Sequence, residues 1–319
     1  METQIEPIQL PDAKQARRAA SLCAFAVVVS HVIAYALFYA IRFVLHQVSI
    51  DPDTNGNLIL NTVVNDLISI PLAWLLFLRR IPGNAALAAD APDRTPLRFR
   101  DFAFFLPCAY AVITAGSLIG KLIGGLFGGF SDLVAGLVSE VHPLVTLLCA
   151  AVVAPIVEEL LFRKALIDRL SVFHPMDAIL YSALLFGLMH GNVTQFLYAF
   201  PMGVLLGIIY WRTKNIRYTI LLHVAIITLG GVLPSLVMQL QSAPTDTLTG
   251  MIGGVLYVLY LQMVLGLMVL GIVFLIKFRK RFLPVKSLLP RCRKPFYLNV
   301  GWFVACTVFV GMFIWIEFL

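Results

Sequence analysis

Three groups of polar side chains interrupt an otherwise apolar chain of 319 residues. The densest is Val157-Glu158-Glu159-Leu160-Leu161-Phe162-Arg163. Adjacent side chains on a helix point about 100° apart, so the two carboxylates cannot share one role. Glu159 and Arg163 stand four apart and can pair, which offsets both charges. Glu158 faces elsewhere without a local partner and is available as a general base. The plainer alternative is a helix end whose charges meet lipid headgroups. The second group is Phe186-Gly187-Leu188-Met189-His190-Gly191-Asn192. Phe186 and His190 share a helix face, and Gly191-Asn192 reads as a helix stop. The third is His223, set in Ile220-Leu221-Leu222-His223-Val224-Ala225-Ile226. Each histidine is either a hydrogen-bonded packing residue or an acid/base group.

The elements that must carry these residues follow from composition. Residues from the set AVILMFWYC make up 60% of the chain and charged residues 13%, and mean hydropathy is +0.90. Soluble domains run near 45–50% apolar and about 25% charged, so this chain belongs to the membrane class. Apolar runs at 21–45, 58–78, 102–129, 143–162, 176–193, 195–211, 216–236, 252–276 and 297–317 predict an all-α, polytopic bundle of eight or nine transmembrane helices. Lys14, Arg17, Arg18 and Ala34-Tyr35-Ala36 imitate a signal peptide, but the run continues to Leu45, which favours an uncleaved anchor. The divisions expected are a cytoplasmic segment 1–20, N-terminal helices 21–142, a core 143–236 and C-terminal helices 237–319. The Pro/Ala-rich stretch Pro82–Pro96 reads as a loop. Gly116, Gly120, Gly124 and Gly128 line one helix face, as close helix packing requires.

Every Lys and Arg except Arg42 and Lys121 falls in 1–20, 79–101, 163–175, 212–217 or 277–295. By the positive-inside rule these segments are cytoplasmic, and so is the N-terminus. The net charge of +7 therefore orients the chain in a cell membrane and does not indicate nucleic acid as a partner. The five cysteines form no CxxC pair, so neither a disulfide framework nor a cysteine metal site is expected. Helix arithmetic puts Glu158, Glu159, His190 and His223 at a common level about 10 Å beneath the cytoplasmic face. Asn65 and Asp66 in the second span, and Gln262 in the eighth, read as inter-helix hydrogen bonds or part of a proton path. His31, His46, His142 and His174 are assigned to helix ends or loops.

Glu158-Glu159-x-x-x-Arg163, Phe186-x-x-x-His190 and His223 together resemble the CPBP family, which includes type II CAAX prenyl endopeptidases and bacteriocin-processing or immunity-related membrane proteins. Gln195-Phe196, Gly203 and Gly207 are similar to the family's helix after the first histidine. The resemblance covers about 143–235 and implies peptide-bond hydrolysis within the membrane. By that analogy Glu158 and His190 activate water, and His223 holds the site or stabilises the oxyanion. Glu159, Arg163 and Phe186 are supporting residues. Zinc held by Glu158, His190 and His223 and a metal-free, glutamate-dependent mechanism both remain open. The family's HxxxN motif is interrupted, because Ile227 stands four residues after His223; Asn192 is the candidate to replace the missing amide. HExxH, GxGD and GxSG signatures are absent from the sequence. The expected partners are the bilayer and a peptide or membrane-protein substrate; oligomeric state is left open. A catalytically impaired relative acting in bacteriocin immunity or as a scaffold is the alternative, with a proton-coupled transporter behind it.

Overall fold

A computed structural model describes residues 12–81, 99–126, 140–278 and 293–318. The described residues are helical, without strands. Among the described residues, eight helices are long and apolar enough to cross a membrane: α1 Ala13–Gln47, α2 Thr54–Arg80, α3 Arg100–Leu126, α4 Pro143–Leu170, α6 Val193–Thr213, α7 Ile216–Gln241, α8 Leu248–Lys277 and α9 Val300–Glu317. A ninth, α5 (Pro175–Leu188), is apolar but only 14 residues long. The chain is a multi-pass membrane protein, as its composition predicts. The loop assigned to Pro82–Pro96 and the fourth glycine of the stripe, Gly128, lie outside the described residues.

Free N–H groups at a helix start are costly wherever water is scarce, so a polar side chain stands at most of these starts. Asp12, Asp53, Asn192, Asn215 and Thr247 each accept a backbone N–H in the first turn of the helix that follows. His142 and His174 do the same through Nδ1, which accounts for both histidines. Helix contacts are made through small residues. A Cβ on Gly116 would fall 2.5 Å from the carbonyl oxygen of Leu197, and one on Gly271 would strike the backbone of Pro107. Gly116 and Gly120 of the stripe thus form an α3–α6 contact, where dispersion replaces the hydrophobic effect. The outward surface is apolar instead: α8, the most hydrophobic of the described spans, is almost wholly exposed on the outside of the bundle.

Direction along the bundle is set by two contacts. Gly301 N donates to Ser21 Oγ (3.0 Å), and the ring of Phe309 meets His31 edge-on at 5.4 Å. Both helices advance together, so α1 and α9 run parallel. Seven described helices lie between them, and with these alone parity requires α5 to count as a leg. At about 1.5 Å per residue α5 reaches only about 21 Å, short of the roughly 30 Å hydrocarbon core. The turn 189–192 therefore sits at membrane depth. Gly191 has φ +72° there, and a Cβ would fall 2.9 Å from Met312 Cε. Glycine meets both demands.

Residue 20 is inside α1, which begins at Ala13, and residue 236 is inside α7. One expectation is revised. His31 is not near a helix end but well inside α1, buried, with Nδ1 2.9 Å from the Val27 carbonyl.

Candidate active site

Glu158 and Glu159 close a short α-helical segment of α4, Ala154–Glu159, which lies between two π-helical stretches, Thr146–Val153 and Leu160–Ile167. Such widened turns re-aim side chains and are common at functional sites. Glu159 and Arg163 are fully buried and paired at 3.1 Å, as their spacing predicts. The Arg163 guanidinium also lies 4.8 Å from the centre of the Phe186 ring. Phe186 packs edge-on to His190 at 5.1 Å and to His223 at 6.0 Å, and so walls off the ion pair.

His223 comes from α7, where it is 2% exposed. Its Nδ1 is 3.1 Å from Glu159 Oε1 and its Nε2 is 3.8 Å from Glu158 Oε2. An ionised carboxylate can only accept, so Nδ1–H donates to Glu159 and Nε2 is left facing Glu158. Glu159 is thus the anchor of both Arg163 and His223. The ring of His190 is fixed in the same manner, with Nδ1 2.8 Å from the Phe186 carbonyl. That bond leaves His190 Nε2 with a free lone pair.

Glu158 and His190 line one cavity of about 230 Å³, together with His31, Tyr35, Tyr39, Asn61 and Asn65. His223 is not on its wall; it backs Glu158 from behind. His31, Asn61 and Asn65 enlarge the site beyond the 143–236 core. For His31 the signal was available, because an ionisable side chain inside an apolar run is costly and asks for a reason. Asn65 Nδ2 donates to Asp66 Oδ1 at 2.8 Å. That is a bond to its neighbour on α2, not the inter-helix bond expected. Gln262 is exposed on α8.

Asn192 does not reach His223. Its Oδ1 accepts from Gln195 N at 2.8 Å, and its Nδ2 donates to the His190 carbonyl and to Gln195 Oε1. The side chain is consumed in capping α6. Glu317, on α9, accepts from Val193 N at 3.3 Å and braces the same turn. Ile227 is partly buried against the core. The glycines after His190 bring the α5–α6 hairpin together: Gly203 meets Ala183 and Phe186, and Gly207 meets Ile179.

Arg163 is fully buried and α4 continues to Leu170. Along the helices, Glu158 lies about 18 Å from Leu170, His31 about 21 Å beyond Arg17 and His223 about 10 Å from the start of α7 at Ile216. The cavity walls continue toward Tyr39 and Asn61, about 10–12 Å from the end where α1 finishes and α2 begins.

No three His, Cys, Asp or Glu side chains among the described residues are gathered as metal ligands. Of the zinc set, Glu158 and His190 share the cavity, and His223 presents Nε2 toward Glu158 while its Nδ1–H is held by Glu159, a bond that also orients metal-binding histidines.

A carboxylate and an imidazole thus face one cavity inside a bundle of apolar, membrane-length helices. Residues 140–229 match the family model described as "Type II CAAX prenyl endopeptidase Rce1-like". The matched region contains every residue of the Glu158/Glu159/Arg163, Phe186/His190 and His223 pattern, which bears out the resemblance to the CPBP family. The match implies a protease in general terms. Searches of curated proteins and of solved structures return no match.

Proposed function

We propose that the chain is a glutamate-dependent intramembrane endopeptidase acting on a peptide or membrane-protein segment. The observation that carries this reading is the shared cavity of Glu158 and His190, with Glu158 backed by the buried His223–Glu159–Arg163 chain. Water held between the Glu158 carboxylate and His190 Nε2 loses a proton to Glu158 as its oxygen attacks the carbonyl carbon of the scissile bond. When the tetrahedral intermediate breaks, that proton passes to the departing amine. General acid/base transfer of this kind contributes about 10²–10⁴-fold. Glu159 and Arg163 are positioning residues that orient His223, and His223 holds the Glu158 carboxylate toward the cavity.

The distribution of Lys and Arg supports a cell-membrane protein with a cytoplasmic N-terminus. In that orientation the Tyr39 and Asn61 walls face the extracytoplasmic half. The test compares peptide N-termini in membranes carrying wild type, Glu158→Gln and His190→Ala at matched expression. Termini lost in both variants identify proteolysis and a substrate. Identical termini from all three folded proteins overturn the reading. They would favour a non-catalytic relative, for which apolar Ile227 beside His223 is the supporting feature.

A further inference from the structure

Lys14, Arg17 and Arg18 have no part in the chemistry above. They project from one face of α1, and Leu22 and Phe25 continue that face deeper into the membrane, following the helical repeat. Across a gap stands the start of α9, presenting Val300 and Phe303. Together these walls enclose a groove of about 480 Å³. All three cations are exposed. None of them enters a salt bridge with a described carboxylate. The groove therefore changes character along its length. Positive charge lies at the mouth, and an apolar slot begins one helical turn further in. From Arg18 to Phe25 the distance is about 10 Å.

We propose that this groove binds an anionic phospholipid, with its phosphate among Lys14, Arg17 and Arg18 and an acyl chain along Phe25, Val300 and Phe303. Charge complementarity selects the headgroup, since a zwitterionic lipid carries a cation that the same three side chains repel. The apolar slot selects a lipid over a free phosphate ion, which has nothing to place there. The occupant also bridges α1 and α9, the parallel pair that carries His31 and braces the turn after His190. Occupancy is thus linked to the walls of the cavity. The lipid site itself is independent of the protease reading.

Native mass spectrometry of the delipidated full-length protein tests it, with phosphatidylglycerol and phosphatidylcholine of equal chain length in competition. With three basic residues at the mouth, wild type is expected to retain phosphatidylglycerol roughly a hundredfold over phosphatidylcholine. Arg17→Gln/Arg18→Gln, which leaves Lys14 alone, is expected to fall to about fivefold, and Arg17→Lys/Arg18→Lys to keep the preference. Val300→Trp fills the slot without altering charge and should release phosphatidylglycerol. It decides the matter if the Gln pair fails to fold. Retention unchanged in Val300→Trp, or in a folded Gln pair, overturns the proposal. So does displacement of the lipid by millimolar inorganic phosphate, which would make this an anion site with no acyl slot.

Discussion

His223 stands between two adjacent carboxylates, with Nδ1 3.1 Å from Glu159 and Nε2 3.8 Å from Glu158. Only one of the two glutamates lines the cavity. The residue closest to Glu158 in sequence therefore acts through an imidazole brought from a helix more than sixty residues away. This division of labour makes the two glutamates separable by experiment.

Glu158→Gln keeps size and hydrogen-bonding capacity but cannot take a proton. Product formation is expected to fall by at least about 10²-fold. The thermal midpoint in detergent should stay within a few degrees, because Glu158 is not held by the ion pair. Appearance of product N-termini measures the first and a melting curve the second. Full activity in Glu158→Gln would move the base elsewhere.

Removing one member of a fully buried ion pair strands the other, at a cost of about 3–5 kcal/mol. Glu159→Gln and Arg163→Ala are each expected to lower the unfolding midpoint sharply. Glu159→Gln/Arg163→Met should recover most of that stability, since neither charge remains. Activity should stay low in the double variant, because His223 has lost its anchor. A double variant with stability restored and turnover fully restored would remove the positioning role.

Gly191→Ala adds a methyl group at φ +72°, directly against Met312. The strain of a left-handed non-glycine residue costs roughly 1–3 kcal/mol. A shift of the turn that holds His190 should reduce turnover more than substrate binding. Gly191→Ala/Met312→Ala relieves the contact but not the backbone strain, so recovery should be partial. Progress curves at several substrate concentrations separate the two effects.

If Glu158 acts without a metal, cleavage is expected to proceed at an unchanged rate after dialysis against EDTA and in the presence of 1,10-phenanthroline, each at about millimolar concentration, as a mechanism using general acid/base transfer alone requires. Inhibition reversed by added zinc would show that the side chains regroup around a metal when substrate is bound.

Orientation and depth have their own readout. Asn61→Cys, on the cavity wall, should react with a membrane-impermeant maleimide from outside intact cells and not from the inner face of inverted vesicles. The basic segments require that result if they are cytoplasmic. Wild type, in which Cys23, Cys108 and Cys149 are buried and Cys306 is half-buried, supplies the background. The reverse labelling pattern would invert the topology.

Much of this was legible in the sequence. Apolar run lengths set the helices, because a backbone in hydrocarbon must satisfy its own hydrogen bonds. The four-residue spacing of Glu159 and Arg163 gave their pair, a contact within one helix. The Phe186/His190 face followed from the same periodicity. Contacts between helices were another matter. That His223 faces Glu159, that Asn192 is spent on a cap and that His31 and Asn65 join the cavity all depend on crossing angles and rotations. These are set by where small residues such as Gly116 and Gly271 let backbones meet. Arg163 could by its sequence equally meet headgroups at a helix end, and only the packing of Phe186 and Glu159 around it keeps a guanidinium buried there. Periodicity reports what one helix presents, and the tertiary structure decides what each face meets.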